Sequence, residues 1–337
     1  MDNITHTLAG LAISQAGFNR KTRYATLAII IGSNLPDVDS VSGFWGSVTY
    51  LQHHRGITHS VAGVVALGVA LAGCFYFLGR KARPKAFGPP LSGPWLLWAC
   101  CAATGVHLLM DFTNSYGVRP FLPFGARWYA WGIEPIIDPL LWLVLFAGLG
   151  LPALFRLITE ELGARKTGFR AGAAFSLCAV VAVWGLRDFS HRRALNMLDS
   201  INFQAGTPER IGAFPGFAIP FAWTGVAETP QAFYVLPVNV IGHELDPQDA
   251  HVYRKPEPSA PLEAALKTRT ARVFTDFARF PWSEVLPTQS GTTVIVRDLR
   301  FQPANASRGG FAIRIVLDRG LHVRSQEFEF SGRFPSD

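Results

Sequence analysis

Charge is scarce in this chain. Asp, Glu, Lys and Arg make up 16% of its 337 residues, against roughly 25% in soluble domains, while hydrophobic residues make up 49%. That balance excludes intrinsic disorder, a fibrous repeat and an ordinary cytosolic enzyme, and it favours an integral membrane protein. Cysteine is scarce too. Cys74, Cys100, Cys101 and Cys178 all lie in apolar stretches and form no CxxC pair, so they read as reduced, core- or lipid-facing residues. The first ten residues, MDNITHTLAG, lack Lys and Arg; without a positive n-region no cleavable signal peptide is expected. Internal repeats and low-complexity tracts are absent. The formal net charge is +7, but the basic residues cluster beside apolar runs. Anionic lipid and membrane topology account for them better than nucleic acid does.

Long apolar runs are what the chain has instead. A bilayer crossing takes about 20 apolar residues. Thr58–Leu78, Pro94–Tyr116, Ile136–Ile158 and Phe169–Leu186 qualify or nearly so. Ile4–Phe18 and Thr22–Leu35 are shorter and would form a hairpin around Arg20, Lys21 and Arg23. The expected fold is a polytopic α-helical membrane domain of about six helices, residues 1–188, followed by a smaller β-rich extramembrane domain, residues 189–337. The strand signals are Ala232–Val240, Thr292–Val296, Phe311–Leu317 and His322–Phe330, with a polar loop at Glu244–Pro261. Basic residues recur in alternate connections: Arg20, Lys21 and Arg23; then Arg80, Lys81, Arg83 and Lys85; then Arg156, Arg165, Lys166 and Arg170. The positive-inside rule puts these connections in the cytoplasm and the β-rich domain in the periplasm, with Arg187, Arg192 and Arg193 weakly opposed.

Most of the histidines sit near the ends of apolar runs, where ionisable groups are costly and default to a functional reading. Asp2 and His6 open the first helix on one face. Pro36 marks a helix boundary and leaves Asp37 and Asp39 on a connection. His53-His54-Arg55-Gly56-Ile57-Thr58-His59-Ser60 leads into the third helix, with Thr58 as a possible cap. His107 and Asp111 are an i, i+4 pair near the end of the fourth. The Lys/Arg-derived orientation brings all four groups to one membrane face, although positive charge was its only input. Imidazoles and carboxylates converging there suit Zn2+, Mn2+ or Fe2+. The candidate ligands are His6, Asp37, His54, His59, His107 and Asp111, with His54 and His59 unranked. Asp39 or a non-ligating His could take a proton from water. Arg55 is either an ion-pair partner of Asp37 or Asp39, or a ligand for a substrate oxygen. Asp138 reads as a helix start or as a partner of a metal-bound His. The aromatic run Phe121–Trp131 reads as an interfacial belt or as the flank of an acyl-chain groove. His243, Glu244, Asp246, Asp249 and His251 read as a solvated loop.

Taken in order, Thr5-His6, Asn34-x-Pro36-Asp37-x-Asp39, His54-Arg55-Gly56-x-Thr58-His59-Ser60 and His107-x-x-x-Asp111-x-x-Asn114-x-x-Gly117 resemble the bacterial membrane-bound metal-dependent hydrolases, a LexA-regulated, inner-membrane-associated group. The resemblance covers roughly residues 1–150. It implies a multi-helix membrane hydrolase with a divalent metal, and it does not reach the C-terminal domain. The resulting expectation is an inner-membrane hydrolase, its site at the periplasmic face, acting on a lipid or lipid-linked phosphoester. The alternatives are a metal-ion or proton transporter, disfavoured by the almost wholly apolar cytoplasmic halves of the helices, and a non-catalytic envelope protein.

Overall fold

The computed structural model describes residues 1–82, 88–161, 170–203, 206–242, 245–302 and 310–330. Arg83, Lys85, Arg165, Lys166, His243 and Glu244, which the sequence reading used, lie outside the described residues. The chain divides into two compact units, Met1–Ser40 with His54–Arg187, and Val41–His53 with Asp188–Asp337. The short segment Val41–His53, which the sequence reading assigned to the membrane domain, thus groups with the second unit.

The first unit is helical. Helix α1, Asn3–Ala16, is capped by Asp2, whose carboxylate accepts from the Ile4 and Thr5 amides. Helix α2, Ala25–Gly32, is followed by a 3-10 stretch, Leu35–Trp45, which carries Asp37 and Asp39. Helix α3, Ser47–His53, belongs to the second unit; in the first, α4, Val61–Lys81, and α5, Gly93–Thr113, follow. Helices α6, Pro139–Glu161, and α7, Arg170–Asp199, complete the set. Ser60, not Thr58, caps α4 by accepting from the Gly63 amide. His59 therefore lies ahead of the helix, in a 3-10 turn over Ile57–His59.

Among the described residues three helices, α4, α5 and α7, are long and apolar enough to cross a bilayer. Helix α6 carries a shorter apolar run, Pro139–Leu154. At 1.5 Å per residue, α1 reaches about 21 Å and α2 about 12 Å, short of the ~30 Å hydrocarbon core. The expected count of about six crossing helices is not confirmed among the described residues. Instead α2 is packed among its neighbours. Ala28 and Ile29 are fully buried against Leu96, Ala99, Cys100 and Ala103 of α5 and Ala72 of α4. The four cysteines are free, with Cys100 buried and Cys74 and Cys178 exposed.

Helices α4 and α5 approach closely because small residues line the contact. The Thr104 hydroxyl donates to the Val64 carbonyl at 2.9 Å. A Cβ built on Gly68 would lie 3.0 Å from the Cys101 Cα.

The second unit holds two four-stranded antiparallel meanders. The first is β1, Arg210–Pro215, β2, Ala222–Glu228, β3, Ala232–Asn239, and β4, His251–Arg254. Its core includes Ala213, Trp223, Leu236 and Val238, packed with Ala194 and Leu198 from the end of α7. Helices α8, Ala260–Leu266, and α9, Arg269–Phe277, follow. The second sheet is β5, Pro281–Thr288, β6, Gly291–Asp298, β7, Ala312–Asp318, and β8, Val323–Glu329. Phe274 and Phe277 of α9 are buried, and their rings meet those of Phe328, Phe301 and Phe311. The expected strands coincide with β3, β6, β7 and β8. The expected loop Glu244–Pro261 is only partly a loop, because β4 lies within it.

The Gly68 contact gives a contrast inside one helix. Gly68→Val should wedge α4 from α5 and destabilise the protein by about 1–3 kcal/mol. Gly73→Val, where nothing lies within 4 Å of the built Cβ, should leave the melting temperature of the solubilised protein unchanged. Equal melting temperatures for the two variants would contradict the packing.

Candidate metal centre

Four elements bring the polar groups of the first unit together. His6 is buried one turn into α1. Asp37 and Asp39 sit on the 3-10 stretch after α2. His59 precedes the α4 cap, and His107 and Asp111 are one turn apart near the end of α5. Asn114 ends α5, and its Oδ1 accepts from the Tyr116 amide at 2.8 Å. Gly117, at φ 87°, then turns the chain to where a Cβ would lie 2.8 Å from the Tyr129 carbonyl oxygen. That close approach admits only glycine.

Asp37, His59, His107 and Asp111 form one group with the donor set of a metal site. The Nε2 atoms of His59 and His107 are 3.0 Å apart. His59 Nε2 is 3.3 Å from Asp37 Oδ1 and 3.3 Å from Asp111 Oδ2. His107 Nε2 is 3.6 Å from each of the same two oxygens. A tetrahedral ion with bonds of about 2.0–2.1 Å requires ligand–ligand edges of about 3.3–3.4 Å, and these five distances bracket that value.

Tautomers support the same reading. His107 Nδ1 lies 2.7 Å from the Ser33 carbonyl oxygen, and His59 Nδ1 lies 3.1 Å from Asp39 Oδ2. Both oxygens only accept, so in the neutral rings each Nδ1 carries the proton and each Nε2 presents a lone pair. Two lone pairs facing each other at 3.0 Å repel unless a cation or proton lies between them. Asp111 Oδ2 is buried without a hydrogen-bond partner and faces the same point.

The remaining predicted residues surround this group. His6 stacks on His107, ring centroids 3.9 Å apart, with its Nε2 3.3 Å from Asp111 Oδ1. It therefore stands beside the four-donor group and outside it. His54 belongs to a second group with Asp37 and Asp39. Its Nδ1 is 2.8 Å from Asp39 Oδ1. Asp39 Oδ2 also accepts from the Arg55 amide at 3.0 Å and the Thr58 hydroxyl at 2.6 Å. Asp39 is thus held by four partners and orients both His54 and His59. Burial would raise the carboxyl pKa of Asp39, but hydrogen bonds from His54 and His59 outweigh it and hold it well below the usual carboxylate range. Burial lowers the pKa of His54 despite its bond to Asp39.

Arg55 corrects an expectation. Its guanidinium pairs with neither Asp37 nor Asp39. Nη2 donates to Asp111 Oδ1 at 3.1 Å, and Nη1 donates to Asn114 Oδ1 at 3.0 Å and the Gly117 carbonyl at 3.3 Å. The Met1 amino group contacts the same Asp111 oxygen. Arg55 also adopts φ 54°, a left-handed conformation uncommon outside glycine.

A second buried cluster escaped the sequence reading. Asp138 caps α6, accepting from the Leu140 amide at 2.7 Å, and its other oxygen accepts from Arg187 Nη2 at 2.6 Å. Arg187 Nε also lies 3.3 Å from Glu134 Oε2. Burial and a hydrogen bond with Asp138 push Glu134 up to about 10 against the pull of Arg187. The helix-start reading of Asp138 matches this geometry, and its partners here are the Leu140 amide, Arg187 and Glu134. Arg187 is a buried ion-pair partner, where the sequence reading counted it among charges beyond the last helix. Sequence distance hid the cluster; an Arg directly after an apolar run is the one signal that could have prompted a search for its partner. In the aromatic run, Arg119 lies 4.6 Å over the Trp128 ring, while Phe124 is 92% exposed.

The family model of the YdjM inner membrane protein matches residues 1–192. The chain belongs to that family. It is also similar to the uncharacterized protein YfhP of Bacillus subtilis (strain 168), with 28% identity over 159 residues. That match covers 45% of this chain and 46% of the relative, so the chain spans about half the length of the curated relative it matches. No solved structure matches. The family and the apolar helices together fit an inner-membrane location.

The centre predicts a graded response to substitution, read by elemental mass spectrometry of the purified protein. His107→Ala and Asp111→Ala should each abolish stoichiometric metal. Asp39→Asn, which loosens the two imidazoles, should weaken metal affinity about 10–100-fold. His191→Ala should change nothing. Full occupancy in the first two variants would remove both residues from the ligand set.

Proposed function

We propose that the protein is a metal-dependent hydrolase of the inner membrane, with its site at the periplasmic face and a lipid or lipid-linked phosphoester as substrate. The observation that carries this reading is the four-donor group of Asp37, His59, His107 and Asp111 with its near-tetrahedral edges. Two imidazoles and two carboxylates suit Zn2+ first, and Mn2+ or Fe2+ also fit. Such an ion supplies Lewis-acid activation of water and polarisation of the scissile phosphoryl or acyl oxygen.

The chain's own residues then have separable roles. The side chains of His59, His107 and Asp111 are fully buried, while that of Asp37 is 15% exposed, so Asp37 marks the side from which substrate enters. His54, held through Nδ1 by Asp39, is the group that accepts the proton of the attacking water. Arg55 is a positioning residue: by holding Asp111 Oδ1 and Asn114 it keeps Asp111 Oδ2 turned toward the two imidazole nitrogens. A site at the ends of membrane helices favours a substrate that arrives within the lipid layer.

Orientation rests on the basic connections. Lys21 lies 4.8 Å over the Trp95 ring and Arg80 5.8 Å from the Tyr76 ring, far along their helices from the histidines. By the positive-inside rule that end is cytoplasmic. Reporter fusions after Lys85 should score cytoplasmic and fusions after Arg127 periplasmic; the reverse pattern would put the site in the cytoplasm.

Catalysis is tested with purified protein and a panel of phospholipids and lipid-linked phosphates. His54→Ala should keep its metal and lose about 10²–10⁴-fold in turnover. Arg55→Lys should lose metal affinity and turnover together, because a point charge cannot replace the planar fork. Zinc flux into proteoliposomes without hydrolysis of any lipid would overturn the enzyme reading in favour of transport.

A further inference from the structure

The first sheet of the β-rich unit has one apolar end and one polar end. At the first, the loop 216–221 joins β1 to β2, and residues 240–242 leave β3. Phe217 is 69% exposed, Ile219 57% and Ile241 66%. Both turns are built to hold these side chains outward. Ala218 takes φ 65°, a conformation that costs a non-glycine residue free energy. Asn239 Oδ1 accepts from the Ile241 and Gly242 amides at 3.1 and 3.3 Å. The Val240 amide donates to the Phe221 carbonyl at 3.0 Å, tying the two loops together. At the other end of the sheet, Glu228 accepts from Arg210 and Lys255 at 2.8 Å each.

Helix α7 says which end lies toward lipid. Ser190 Oγ accepts from Trp223 Nε1 at 2.8 Å, and the His191 and Trp223 rings are 5.0 Å apart, at the start of β2. Eight residues on, Leu198 packs where a Cβ on Gly225 would lie 2.7 Å from it, and Phe203 meets Tyr234 at 4.6 Å. The helix therefore runs along the sheet from the apolar end toward the polar end. Its membrane-length apolar run stops at Leu186, about 6 Å before Ser190 at 1.5 Å per residue. Along the chain, the apolar run of α7 therefore leads directly into the part of the helix that packs at the apolar end of the sheet.

We propose that Phe217, Ile219 and Ile241 insert into the head-group and acyl boundary of the bilayer, as a monotopic anchor that seats the β-rich unit on the membrane. Three large apolar side chains clustered at one end are more than scattered surface hydrophobics. The apolar-to-polar gradient along the sheet matches the direction of the helix. The proposal is independent of the metal centre and of any hydrolysis.

The test uses the full-length chain in lipid nanodiscs. A photoreactive benzoylphenylalanine replaces Phe217, Ile241 or, at the polar end, Gln231. Illumination should give lipid adducts, read by mass, at Phe217 and Ile241 and none at Gln231. A missing lipid adduct at either loop overturns the anchor, and so does crosslinking to a second copy of the chain. A smaller probe guards against misfolding of those variants. Ile219→Cys should react more slowly than Gln231→Cys with a water-soluble maleimide in vesicles, and equal rates would overturn the proposal.

Discussion

Asp111 divides its two oxygens between two tasks, and the arrangement of the first unit follows from that division. Oδ1 is occupied by Arg55 and approached by His6 and the Met1 amino group. Oδ2 is left facing the imidazoles of His59 and His107. A fully buried carboxylate is expensive unless it is paired and hydrogen-bonded. Here its partners come from α1, from the segment before α4 and from α5 itself. The same charge that is costly to bury therefore fixes where three separate elements meet.

That constraint accounts for the short helices. Helix α2 begins at Tyr24, a non-glycine residue at φ 68°, and ends after eight residues. It does not need to cross a bilayer. One face, Ala25, Ala28, Ile29 and Gly32, is buried while Leu27 and Ile31 are exposed, and the end of the helix delivers the Ser33 carbonyl that fixes the His107 tautomer. In α1, Asp2 holds the first turn and Thr5 accepts from Trp142 of α6 at 2.8 Å, which sets His6 beside His107.

The chemistry was more legible than the architecture. The i, i+4 spacing of His107 and Asp111 is a local signal on a helix, and Pro36 marks the connection that carries Asp37 and Asp39. The structure then separates the two histidines that spacing left unranked, His59 into the four-donor group and His54 into the pair with Asp39. Strands β3, β6, β7 and β8 have β-branched or alternating runs that stand out. Strands β1 and β2 do not, because RIGAFP and AWTGVAE are broken by small residues and by proline. Strand β5, PWSEVLPT, has two prolines and reads as a turn-rich stretch. The length of α2 was illegible because apolar composition is the same for a helix buried in protein and one buried in lipid. Arg187 and Glu134, far apart in sequence, carry no local signature of their pairing.

Charge balance gives a last argument about the centre. Asp37, Asp39 and Asp111 gather at the centre, where the Arg55 guanidinium and the Met1 amino group both pair with Asp111, and hydrogen bonding holds Asp39 in the ionised form. With neutral imidazoles, the carboxylates outnumber the cations. A site this dry cannot leave that excess to solvent. Protonating an imidazole would supply one charge, but it would use up an Nε2 lone pair that both histidines are hydrogen-bonded to present. A divalent cation supplies the charge and takes both lone pairs at once. Tautomer geometry and the excess of carboxylates both suit a cation at this point.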